Sequence, residues 1–223
     1  MFHGLCASNP AAALRRKLRE TLPRKKAGNF AALPHREAPA FMARVRAAEG
    51  VAARCLELAV LTCARTSEAL TLEWRELDLD ARLWVVPAAK MKGGEQHVVY
   101  LCDRAIEIIQ GMRGVDRTYV FPSRILAGRP MSNMAMLAVL DRLGMRQRTT
   151  VHGLCRATFS TWANETAAAR PEVVEACLAH KEQDRVRAAY NRAQFHDERR
   201  ALMDKWADYL GGGGAKVIPL HRR

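Results

Sequence analysis

Apolar residues recur at helical spacing along most of this chain, with one central stretch where they alternate instead. Ahead of residue 30 the pattern is polar and basic. Arg15, Arg16, Lys17, Arg19, Arg24, Lys25 and Lys26 face a single acid, Glu20, and Pro23 interrupts the run. The stretch predicts one short basic helix and a linker ending at Gly28, either a solvated face or a phosphate-contacting one. Pro39 suits a first helical turn, and Phe41, Met42 and Val45 then make an apolar stripe that Gly50 breaks. Val51 to Cys63 is apolar nearly all round, which places that helix at the centre of a core. Thr66 or Ser67 is suited to cap the next helix. Glu68 falls in its first turn, where a carboxylate meets the positive end of the helix dipole.

The period then shortens. Leu77 and Leu79 alternate with Asp78 and Asp80, Leu83-Trp84-Val85-Val86 is a compact apolar run, and His97-Val98-Val99-Tyr100-Leu101 is another. These predict three short antiparallel strands, with a turn at Gly93-Gly94. Helical spacing returns over Asp103–Met112, Ser132–Leu143 and from His152 onward. Its stripes are Phe159, Trp162 and Ala163, then Val173, Val174, Cys177 and Leu178, then Leu202, Met203, Trp206 and Tyr209. Gly211–Gly214 has the composition of a flexible linker before a short apolar stretch, Val217–Leu220. No internal repeat is visible. The expected fold is mainly α with a small three-stranded antiparallel sheet, an α+β arrangement.

Composition narrows the function. With 49% hydrophobic residues in 223, the chain has enough apolar material for a packed core. A net charge of +13 favours a polyanionic partner, nucleic acid before membrane. The six cysteines form no CxxC pair, so reduced thiols are expected rather than a disulfide framework. No apolar run approaches the roughly 20 residues that cross a bilayer, and the start lacks the pattern of a secretion signal. No HExxH occurs, and His3, His35, His97, His196 and His221 are scattered singly, so no metal site is expected.

Four stretches carry candidate chemistry. Arg65 emerges from the most apolar helix, rigid enough for bidentate phosphate recognition, although an Arg65–Glu68 pair could equally serve the helix start. Lys90 and Lys92 sit at the hairpin tip, where a lysine can reach into a cleft or merely confer solubility. His152 and Arg156 lie four apart, near one helical face, able to address one anion together or to be ordinary surface residues. His180 closes an amphipathic helix, and Tyr190 follows among Lys181, Arg185, Arg187 and Arg192. A phenol with an ordinary pKa near 10 becomes a nucleophile only where cations stabilise its phenolate. The alternative is a core tyrosine.

Taken in order, these residues resemble the catalytic domain of the tyrosine recombinases. Val86-Pro87-Ala88-Ala89-Lys90-Met91-Lys92 with His97-Val98-Val99, HGLCRATFSTWANE and AYNRAQFHDERRALMDKWADYL resemble the phage integrase branch, over roughly Asn29 to Leu210. The resemblance implies that Arg65 and Arg156 clamp a scissile phosphate and that Lys92, with Lys90 as second candidate, protonates the departing 5′ oxygen. It also implies that His152 assists proton transfer, that His180 hydrogen-bonds the phosphate and that Glu68 supports the site. Tyr190 would attack phosphorus, giving a 3′-phosphotyrosine, without metal, ATP or cofactor. The implied partner is double-stranded DNA at an attachment site, bound by a homotetramer that is monomeric without DNA. The implied setting is cytoplasmic and nucleoid-associated, with no membrane.

Two features depart from that pattern. The family spacing is HxxR, whereas His152 and Arg156 are one residue further apart. Unless the extra residue is absorbed near the helix cap, Arg156 turns away from the site by about 100°. The domain reading is a basic helix and linker over 1–28, the remnant of a missing core-binding domain, then a catalytic domain over 29–210 and a flexible tail over 211–223. This predicts an isolated or truncated catalytic domain, with the tail docking on a neighbouring protomer or folding back on its own. The rival expectations are a DNA-binding remnant without catalysis and relaxation of DNA in the manner of a type IB topoisomerase.

Overall fold

The structure, a computed structural model, describes residues 14, 17, 31–180 and 194–212. Tyr190, most of the basic stretch 1–28 and most of the tail 211–223 lie outside the described residues. The helices are α1 (Ala38–Ala47), α2 (Val51–Thr62), α3 (Thr66–Leu70), α4 (Asp103–Gly111), α5 (Ala135–Arg142), α6 (Thr158–Glu165), α7 (Pro171–Cys177) and α8 (His196–Leu210). Strands β1 (Leu77–Asp78), β2 (Leu83–Val86) and β3 (His97–Tyr100) form one antiparallel sheet in the order β1-β2-β3, with Leu77 opposite Trp84 and Trp84 opposite Val99. The mainly α fold with its small sheet is the one the apolar pattern predicted. The helix expected over Ser132–Leu143 begins later, at Ala135. A turn precedes it, in which the Ser132 hydroxyl accepts the Met134 N–H at 3.3 Å.

α2 is the central element, as its all-round apolarity requires. It packs against α1, α3, α4, α5 and α8. Its one acid, Glu57, is fully buried and meets three guanidiniums: Arg46 at 3.3 Å, Arg54 at 2.7 Å and Arg104 at 2.8 Å. A buried carboxylate needs such partners to keep its charge. Trp206 of α8 donates its indole N–H to the Val60 carbonyl at 2.9 Å and packs on Phe159, Trp162 and Tyr209. That contact fixes the C-terminal helix to the centre of the core. The five described cysteines are free and buried. Burial raises the Cys155 thiol to about 12 and the Cys177 thiol to about 11, which leaves both protonated and unreactive.

Between α5 and α6 the backbone leaves α-helical geometry. Residues 151 and 152 are helical, Gly153–Ala157 form a π-turn, and α6 continues from Thr158. The Thr158 N–H reaches back to the Gly153 carbonyl. The extended segment ahead of α1 runs directly over this turn. Ala31 O accepts the Thr150 N–H at 2.9 Å, and Leu33 O accepts the Thr158 hydroxyl at 2.8 Å. Only glycine fits beneath it, because a Cβ on Gly153 would lie 2.0 Å from Ala31 O and 2.8 Å from Ala31 C. Both are backbone atoms, so they cannot yield as a flexible side chain would. Gly153→Ala should therefore cost on the order of 1–3 kcal/mol through overpacking, seen as a lower urea midpoint at unchanged slope. An unchanged midpoint would show that the segment does not seat on the turn.

Candidate active site

α2 ends where Cys63 takes the left-handed conformation, φ 54°, and the chain turns sharply into Arg65. Arg65 is itself the cap residue of α3, in place of the expected Thr66 or Ser67. Its backbone N–H donates to Glu68 Oε2 at 2.9 Å and its Nη1 to Glu68 Oε1 at 2.8 Å, so one carboxylate fixes both ends of the residue. The Arg65–Glu68 pair is thus real. It orients the arginine instead of consuming it, because Nη2 reaches on to the Ala179 carbonyl at 3.4 Å.

Arg156 approaches the same place from the π-turn. It is 4% exposed and stretched between two helix ends. Nη1 donates to Cys63 O, at the end of α2, at 2.9 Å, and Nη2 donates to Leu178 O, just past α7. Nη2 also lies 2.8 Å from His180 Nε2, and Nε has no partner among the described residues. Burial, then the Arg65 guanidinium, weakens its hold on its proton, yet a guanidinium stays charged. The long His152–Arg156 spacing is accommodated by the π-turn that begins directly after its cap residue, His152. At about 4.4 residues per turn, four π-turn residues sweep about 330°, close to the 300° or so that three α-helical residues sweep. Arg156 accordingly meets Arg65 and His180.

His152 borders the same cleft. Burial, then Arg156, Arg65, His180 and Lys92, push its imidazole below the ordinary value, so it is neutral at neutral pH and able to accept a proton. Lys92 is exposed on the β2–β3 hairpin, close enough for its charge to be felt at His152. Lys90 points elsewhere. Its ammonium binds Thr71 O at 2.6 Å and Glu73 at 2.9 Å, and it also pairs with Glu76. The two hairpin lysines are thereby distinguished. Arg65, Thr66, Ser67, Thr71, Asn133 and His152 line a cleft of about 480 Å³. Among the described residues no group of three or more His, Cys, Asp or Glu could hold a metal ion.

Two neighbours were not among the candidate site residues. Glu175 lies 2.6 Å from His180 Nδ1, and His97 stands where β3 passes behind the arginines. Burial, then the Arg199 guanidinium, pushes His97 from its ordinary 6.5 to about 4, against the opposing effect of its hydrogen bond to the Cys177 backbone. Only the structure reveals either, because each depends on a partner distant in the chain or across a helix end.

Comparison with known proteins follows the same outline. The phage integrase family matches residues 31–197. Prophage integrase IntA of Escherichia coli K12 is 38% identical over 202 residues, covering 89% of this chain and 48% of that protein. The integrase of enterobacteria phage P4 is 33% identical over 96% of this chain and 52% of its own length. The chain spans about half the length of the curated relatives it matches. The integrase of mycobacterium phage Brujita shares the fold at TM-score 0.61 and 17% identity, over 88% of this chain and 68% of that one. A Tn1549 transposon integrase, solved with transposon right end DNA, does so at TM-score 0.54 and 16% identity, over 85% and 70%.

His97 gives the site a defined pH response. Unfolded, it protonates near 6.5; folded, it resists until about 4, so between those values the unfolded chain holds more protons. Its contribution to stability is complete above pH 6.5, falls by up to about 1.4 kcal/mol per pH unit below it, and levels off near pH 4. Urea midpoints taken from about pH 7.5 to about pH 4.5 should decline less steeply in His97→Asn than in wild type. Equal slopes would contradict the assignment.

Proposed function

The chain belongs to the phage integrase family of tyrosine recombinases, and from that membership we propose that it cuts and rejoins DNA at a specific site through a 3′-phosphotyrosine. The observation that supports this reading is a cleft lined by Arg65 and His152, with Arg156 and His180 in contact with each other and near enough for their charges to be felt at His152, the four brought from three separate stretches of chain.

Arg65 and Arg156 bind the scissile phosphate. Two fixed guanidiniums supply positive charge where it develops on the non-bridging oxygens, without a metal ion. His180, beside Arg156, hydrogen-bonds the same phosphate. Tyr190 attacks phosphorus; the P–O5′ bond breaks as the P–Oη bond forms. His152, neutral at neutral pH, takes the phenol proton, and Lys92 on its hairpin supplies one to the departing 5′ oxygen. The phosphotyrosine retains the energy of the broken diester, so a second 5′-hydroxyl can displace Tyr190 without ATP. Glu68 keeps Arg65 in register and does not react. The natural partner is double-stranded DNA, for which a net charge of +13 is suited, and the active assembly is a homotetramer on that DNA, in the cytoplasm at the nucleoid.

The test is covalent capture. Nicked suicide duplexes from a randomised pool should trap wild type as a protein–DNA adduct on denaturing gels and should not trap Tyr190→Phe. Arg65→Ala and Arg156→Ala should each slow adduct formation by about 100- to 1000-fold. Absence of a wild-type adduct, or its persistence in Tyr190→Phe, would contradict the reading.

A further inference from the structure

The last turn of α7 folds His180 back over Glu175. Ala179 takes the left-handed position, φ 48°, and the His180 N–H closes on the Glu175 carbonyl at 3.1 Å, a Schellman-type ending with alanine where glycine is usual. The closure also brings the two side chains together. Glu175 Oε2 lies 2.6 Å from His180 Nδ1, while His180 Nε2 lies 2.8 Å from Arg156 Nη2. A guanidinium nitrogen can only donate. Nε2 must therefore accept, and the ring proton of the neutral histidine sits on Nδ1, donated to Glu175.

We propose that Glu175 is a positioning residue for the cleavage step, holding His180 in its Nδ1–H form with Nε2 aimed at Arg156 and the phosphate. The proposal rests on the function given above. When a phosphate oxygen replaces Arg156 as the partner of Nε2, that nitrogen has to donate. The ring then carries a second proton, drawn from solvent, and the new positive charge forms beside the Glu175 carboxylate. The His180 and Glu175 side chains are 46% and 51% exposed, so water screens their attraction and the pair adds little to folding stability. Its effect is on tautomer and aim.

The decisive measurement is the His180 ring tautomer, read by long-range ¹H–¹⁵N correlation on the DNA-free protein and assigned by its loss in His180→Gln. It is paired with single-turnover adduct formation. Wild type and Glu175→Gln, whose amide oxygen can still accept, should show Nδ1–H. In Glu175→Ala the half-exposed ring is free to swing away from Arg156, so it should shift toward Nε2–H and slow adduct formation about 10- to 100-fold, with melting temperature and DNA affinity unchanged and substantial rescue in Glu175→Gln. A wild-type ring in the Nε2–H form, an unaltered tautomer in Glu175→Ala, or an Ala rate within about twofold of wild type would overturn the proposal. Failure of wild type to form any adduct would instead overturn the proposed function, and the tautomer would then decide the role of Glu175 by itself.

Discussion

A guanidinium keeps its charge at any ordinary pH, so a protein that buries one must surround it with acceptors. Arg156 is nearly as buried as the leucines around it, and its acceptors are the backbone carbonyls of Cys63 and Leu178. Those carbonyls belong to the ends of α2 and α7, where helical oxygens have no partner of their own. One side chain thus joins the termination of the central helix, the π-turn and the end of α7. Each end is also where a further functional group begins: Arg65 two residues after Cys63, His180 two residues after Leu178. The site is assembled by the way helices stop.

This arrangement explains why a one-residue change of spacing can be accommodated. In a regular helix, an added residue would rotate everything beyond it by about 100°. Here the π-turn takes up the surplus locally, so Phe159 and Trp162 still face the core while Arg156 still faces Arg65. The accommodation has a structural requirement, the glycine at 153, across which the segment from Ala31 to Leu33 is hydrogen-bonded on both sides. The backbone leading into α1 therefore lies one residue from His152.

Much of the fold was legible because it follows from periodicity. The all-round apolarity of Val51–Cys63 marked the central helix, and the alternation near Leu77, with the runs at Leu83 and His97, marked the sheet. Arg65, His152, Arg156 and His180 were legible as an ordered set, although their meeting was not. What sequence could not show depends on three-dimensional partners. Lys90 and Lys92 look alike in the chain, but Glu73 and Glu76 capture the first and leave the second at the hairpin surface. The cap of α3 was expected at Thr66 or Ser67, whereas Glu68 selects Arg65 by bonding its N–H. Glu175 reads as an ordinary solvent-facing acid until the left-handed Ala179 folds His180 onto it.

The central claim is that two guanidiniums, one buried and one held by Glu68, face a single phosphate. A structure of Tyr190→Phe bound to an intact duplex tests it most directly. One phosphate should lie within about 3 Å of nitrogens from both Arg65 and Arg156, with residue 190 opposite the 5′ oxygen. A duplex that engages the chain with no phosphate reaching both arginines would contradict it.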